Sequence, residues 1–225
     1  MAAAVHAMTF STMVGELAYA FINTFLIFVF TLLGALPLGL VVCFGKKSRF
    51  KPLKWLVEVY ISIMRGTPLM LQVMVIYFAP ALVFRFTIPG NWRFSAVIVA
   101  FIINYAAYFA EIYRGGIESI DGGQYEAAQV LGYGKAQTFV KIILPQMVKR
   151  IIPAVTNEVI TLVKDTSLAS AIGTVEMFTK AKQIAVSPRS PGMLTFLVAG
   201  VFYFVFNAIV AFVMKRVEKS LNYYQ

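Results

Sequence analysis

Glu158 and Asp165 stand seven residues apart in a stretch that is otherwise largely apolar. Seven residues are two helical turns, so both carboxylates and Thr161 between them share one helix face. Ionisable groups inside a bilayer face a pathway or a partner, and serve as ion or proton sites or recognise an opposite charge. An ammonium or cationic side chain of a small substrate is one such partner; a local charge cluster with Lys164 or Arg65 is the other. Asn104 and Gln72, each set in a further apolar stretch, offer neutral polar contacts. Arg65-Gly66-Thr67-Pro68-Leu69 interrupts the stretch that holds Gln72. Thr67 suits an N-cap and Pro68 the first turn after it. The helix they open either aims its free amides at a carboxylate, as in transporters with discontinuous helices, or simply begins at the membrane interface.

Covalent chemistry has little to work with. His6 is the single histidine, which excludes a multi-histidine zinc centre and leaves a Ser–His hydrolase without a base at depth. Cys43 is the single cysteine and reads as an inert core thiol. Gly132-Tyr133-Gly134-Lys135-Ala136 lacks the spacing and the hydroxyl of a phosphate-binding loop. No catalytic residue, metal site or cofactor is expected.

What must position these residues is a membrane fold. Of 225 residues 60% are hydrophobic and 13% charged, against about 25% charged in soluble domains. The mean hydropathy is +0.77. A net charge of +10 in so apolar a chain reads as basic loops beside a bilayer, not as a nucleic-acid surface. Five spans are expected: 17–45, a broken 53–84, 94–110, 151–172 and 193–214. Fourteen of the 20 basic residues fall in 45–65, 111–150 and 215–225, while 1–16 hold none. By the positive-inside rule the N-terminus lies outside and the C-terminus in the cytoplasm. The first span, without a basic leader, reads as a retained anchor. Residues 48–54 form a basic connector suited to anionic headgroups.

The 111–150 loop is the one sizeable soluble segment. Asp121 caps a short helix there, and Gln124 completes a capping box. Glu126 lies near the positive end of its dipole, and Gly132 ends it in the left-handed conformation. Ala127 and Ala128 allow close backbone approach. A second amphipathic piece, 136–144, is stopped at Pro145. On these grounds the loop is either a solvated hairpin or a docking site for a partner.

Glu126-Ala127-Ala128, then Gly132, Ile142 and Leu144-Pro145, match position by position the EAA loop of membrane subunits of bacterial ABC importers. Arg65-Gly66-Thr67-Pro68-Leu69 with Gln72, the run from Asn104 to Ile117, Pro153 to Glu158 and Leu162 to Leu168 are similar to the spans of the polar amino-acid branch. The resemblance covers about 15–220. It implies an all-α permease of the type I importer fold, a single domain over 1–225. Glu126, Ala127, Ala128, Leu131 and Gly132 would couple it to a separate ATPase subunit. Asn104 and Glu158 would line an amino-acid site, with Gln72, Asp165, Thr67 and Leu69 as weaker members. Two permease subunits, identical or related, two ATPase subunits, an extracytoplasmic amino-acid-binding protein and a bacterial cytoplasmic membrane are implied with it. A stand-alone secondary carrier using Glu158 or Asp165 is the competing expectation.

Overall fold

The computed structural model describes residues 8–83, 85–87, 89–188 and 192–221. His6, Arg189 and Phe84, the expected end of the second span, lie outside them. The described residues are mostly helical and carry no strand. Among the described residues nine α-helices follow in order: α1 (Phe10–Lys46), α2 (Lys51–Gly66), α3 (Leu69–Leu82), α4 (Trp92–Glu118), α5 (Gly122–Val130), α6 (Lys135–Thr138), α7 (Leu144–Asp165), α8 (Met177–Ala185) and α9 (Met193–Leu221). A π segment, Phe139–Ile143, precedes α7, and a 3₁₀ segment, Thr166–Ile172, follows it.

Three helices, α1, α4 and α9, are long and apolar enough to cross a membrane, and α2 with α3 makes a fourth if read as one broken span. At 37 residues α1 is about 55 Å long and outreaches a hydrocarbon core of about 30 Å. It starts seven residues before the expected span, and α4 runs past Ala110 to Glu118. α7 has 22 residues, about 33 Å, but Lys149, Arg150, Glu158, Lys164 and Asp165 keep it from standing out by composition.

Pro145 does not stop a helix. It sits in the first turn of α7, and helical backbone is continuous from Lys135 to Asp165. A proline ring meets the carbonyl four residues back, here Lys141, and removes a donor. The wider turn of the π segment spans that position and takes up the misfit.

The chain divides into two compact units: 1–33, 67–102 and 161–209 in one, 34–66, 103–160 and 210–225 in the other. In the first, Met13, Leu17, Met177, Ala181, Ile184 and Ala199 form a buried core from α1, α8 and α9. There α3 also packs on the 3₁₀ segment. In the second, Gly39 brings α1 against Phe109, Ala106 and Ala110 of α4, and Gly116 brings α4 against Ile151 and Met147 of α7. Small residues permit such close backbone approach where apolar burial supplies no drive between helices in lipid.

Candidate functional site

The break after α2 leaves backbone carbonyls without helical partners, which is costly away from water. Two of the expected substrate contacts answer that cost. Asn104, 4% exposed, donates from Nδ2 to the Met64 carbonyl in the last turn of α2 at 2.9 Å. Gln72, 8% exposed, donates from Nε2 to the Thr67 carbonyl at 3.1 Å and to Thr67 Oγ1 at 2.8 Å. Thr67 is therefore not the N-cap. That position belongs to Pro68, with extended backbone and no side-chain cap, and the Thr67 hydroxyl is turned to Gln72 instead. Leu69, the first residue of α3, is buried.

Glu158 and Asp165 both lie on α7, each half-buried. Arg65, a candidate to neutralise them, is engaged elsewhere: it stands 3.8 Å from Glu111 and over the Tyr108 ring at 5.3 Å. Glu111 also binds Lys46 at 2.5 Å and Arg114 at 2.9 Å. This one carboxylate joins the ends of α1, α2 and α4.

In the loop, Asp121 accepts from Gly123 N at 2.7 Å and caps α5 as its sequence predicts. The capping box is not completed: the Gln124 oxygen accepts from Gln146 of α7 at 3.2 Å, which ties the loop helix to the long one. At the far end Gly132 has φ +76°. Its amide donates to Gln129 O, and that of Tyr133 to Ala128 O, both at 3.0 Å, which is a full Schellman ending. Ala128 is completely buried and holds α5 to its own hairpin, whereas Glu126, Ala127, Leu131 and Gly132 are exposed. Val130 at 89% and Leu131 at 72% exposure put an apolar tip into solvent.

One functional-looking residue escapes the sequence reading. Glu176, between the expected fourth and fifth spans, is fully buried. It accepts from Phe178 N and Thr179 N at 2.7 Å, Thr179 Oγ1 at 2.9 Å and the Tyr203 hydroxyl of α9 at 3.0 Å. Asn23 and Thr24 of α1 bind the same turn, through Val175 O at 2.7 Å and Met177 N at 3.1 Å. Burial pushes the Glu176 carboxyl above the usual carboxylate range, and its four donors return part of that shift. The only sequence signal is an acid three residues before Thr179 at a helix start. Glu176→Ala is expected to cost about 3 kcal/mol, and Tyr203→Phe about 1 kcal/mol, in thermal unfolding of the detergent-solubilised protein. In the Glu176→Ala background Tyr203→Phe should cost less than it does alone, since the bond the pair shares is already lost; full additivity would show that the bond contributes no stability.

Long apolar helices, a span broken between α2 and α3 and a capped loop helix with an apolar tip are the features of a multi-span membrane protein. Residues 35–223 match the family described as "Binding-protein-dependent transport system inner membrane component", and the chain belongs to that family. It is 38% identical over 187 residues to the arginine transport system permease protein ArtQ of Bacillus subtilis, covering 83% of this chain and 84% of that one. Identity to the L-cystine transport system permease protein TcyB of the same organism is 34% over 211 residues, covering 93% and 86%. A solved amino acid ABC transporter with histidines superposes with a TM-score of 0.84 at 31% identity, covering 95% of this chain and 99% of its own. The chain is thus a bacterial inner-membrane transport subunit, and ATP is hydrolysed by a separate chain. Membership retires the stand-alone carrier.

Proposed function

We propose that this permease carries polar or charged amino acids inward and is driven through α5. The exposed apolar tip of α5, Val130 and Leu131 beside the left-handed Gly132, carries the reading: these side chains have no cover in their own chain, and a cleft in an ATPase subunit would supply it. Glu126 and Ala127 flank that contact, and buried Ala128 braces it from behind. The tie from Gln124 to Gln146 then passes motion of α5 into α7, which carries Glu158.

The chain crosses the membrane five times, with the N-terminus outside, α7 as the fourth crossing and the 111–150 loop in the cytoplasm. Two permease subunits, identical or related, enclose the path, and two ATPase subunits dock on their two α5 helices. A binding protein delivers the amino acid from outside. Substrate preference follows the relatives named for arginine and cystine transport. Glu158 recognises the ammonium or cationic side chain, with Asp165 further along α7. Asn104, Gln72 and Thr67 contribute by holding the broken helix in shape, and Leu69 by packing behind it.

The test is uptake in vesicles containing the whole complex. Glu158→Gln should lower uptake of cationic amino acids about tenfold more than of neutral ones, the worth of one charge-assisted hydrogen bond of ~1.5 kcal/mol. Equal losses for both classes would make Glu158 a structural residue. Leaving out the ATPase subunit should abolish uptake altogether.

A further inference from the structure

Beside α5 lies a cavity of about 570 Å³ whose lining is split by chemistry. Phe44, Ile117 and Phe139 make an apolar floor, with the Phe44 and Phe139 rings edge to face at 5.8 Å. Lys47, Arg49 and Lys135 make a cationic rim, and Tyr125 and Tyr133 add two phenols. Lys47 stands 3.8 Å from Glu118. Arg49 and Lys135 make no ion pair among the described residues, and Glu58, on α2, is taken by Lys54 at 3.9 Å. A further cation, Lys141, lies over the Tyr133 ring at 5.8 Å.

We propose that this cavity is a binding site for an anionic phospholipid. The rim would take the phosphodiester and the aromatic floor the first carbons of the acyl chains. A free anion has no use for that floor, and a neutral lipid has none for the unpaired cations. Position agrees with the assignment: the floor residue Phe44 belongs to the end of the 37-residue apolar α1, with Val41 and Phe44 both exposed there. Basic pockets at the ends of membrane helices are suited to headgroups for this reason. Tyr125 and Gln129, four residues apart on α5, form one wall, and Lys47 and Arg49 beyond α1 form another. A lipid held between them braces the loop helix against the membrane helix. That mechanical meaning rests on the coupling role proposed for α5; occupancy does not.

Occupancy is read without ATP or transport, so the two fail separately. The complete complex, with its ATPase subunits, is placed in nanodiscs of phosphatidylcholine doped with graded amounts of photoactivatable phosphatidylglycerol. Adducts are mapped by peptide mass spectrometry. They are expected on 44–49 and 125–139. Arg49→Gln and Lys135→Gln should each raise the half-saturating lipid fraction about fivefold, as loss of one cation near a headgroup implies. Lys51→Gln removes the same charge from the exposed start of α2, outside the cavity, and should leave it unchanged. An equal shift for Lys51→Gln would overturn the site in favour of diffuse surface attraction. Suppression of labelling by free glycerol phosphate present before photolysis would assign it to a soluble anion. Equal labelling by a phosphatidylcholine probe, or cavity residues that cross-link to the ATPase subunit and take no lipid, would also overturn it.

Discussion

Gly132→Trp is expected to abolish ATP-driven uptake while leaving the permease inserted and folded. The structure separates two costs at this position. The first is local. Gly132 has φ +76°, where an L-residue costs about 1–2 kcal/mol and asparagine less. No heavy atom lies within 4 Å of where a Cβ would stand, so the chain itself has room for a side chain. The second cost falls outside the chain. On the docking proposed for α5, a large ring beside Val130 and Leu131 would fill the space in which the ATPase subunit seats its tip. Gly132→Asn keeps the left-handed turn and adds little bulk, so uptake close to normal is expected. Gly132→Ala should lie between, with a stability loss of about 1 kcal/mol. Uptake and ATPase activity of reconstituted complexes decide the matter. Normal uptake by Gly132→Trp would end the docking role. Asparagine as damaging as tryptophan would move the cause to the helix ending itself.

How much of this was legible beforehand follows from the range of each interaction. The Asp121 cap and the left-handed Gly132 depend on backbone within four residues, and both stand where the sequence puts them. The apolar stretches of α1, α4 and α9 are equally plain, because composition alone marks them. Pro145 misleads because a proline is read as a stop, whereas a π turn just ahead of it lets the helix run on. Gln124 misleads because a nearer partner than its own cap exists on α7. Asn104 and Gln72 look like ligands from sequence since a polar amide in an apolar stretch needs a partner. Their partners turn out to include the carbonyls and hydroxyl freed by the helix break. Glu176 is invisible for the opposite reason: its donors Phe178 and Thr179 are close by, but what buries it comes from α1 and α9.

Among the glycines the largest stability loss is expected at Gly39, where the structure shows what kind of neighbour a new methyl would meet. A Cβ there would lie 2.8 Å from Phe109 Cβ, 3.1 Å from Ala106 O and 3.3 Å from Ala110 N. Two of the three are backbone atoms of α4, and none can swing aside by a rotamer change. The helices must part instead, and the Tyr113 hydroxyl bond to Leu36 O and the Lys46–Glu111 pair span the same two helices. Gly39→Ala should therefore cost about 3 kcal/mol, the upper part of the range for overpacking, and Gly39→Leu should prevent isolation of the protein. At Gly116 the distances are shorter, 2.2 Å to Ile151 Cγ2 and 3.0 Å to Met147 Cγ, but these are side-chain atoms. Ile151→Ala should remove the Gly116→Ala clash, so that the pair costs less than the sum of its parts. Phe109→Ala should give Gly39→Ala no such relief, because Cβ and the backbone remain. Gly15→Ala and Gly200→Ala, with nothing within 4 Å, should be neutral or stabilising by up to about 1 kcal/mol. Thermal unfolding in detergent, followed by size-exclusion chromatography, ranks the four glycine-to-alanine variants. If Gly39→Ala melts with Gly15→Ala, α1 and α4 are not in close backbone contact, and the packing described for that unit is wrong.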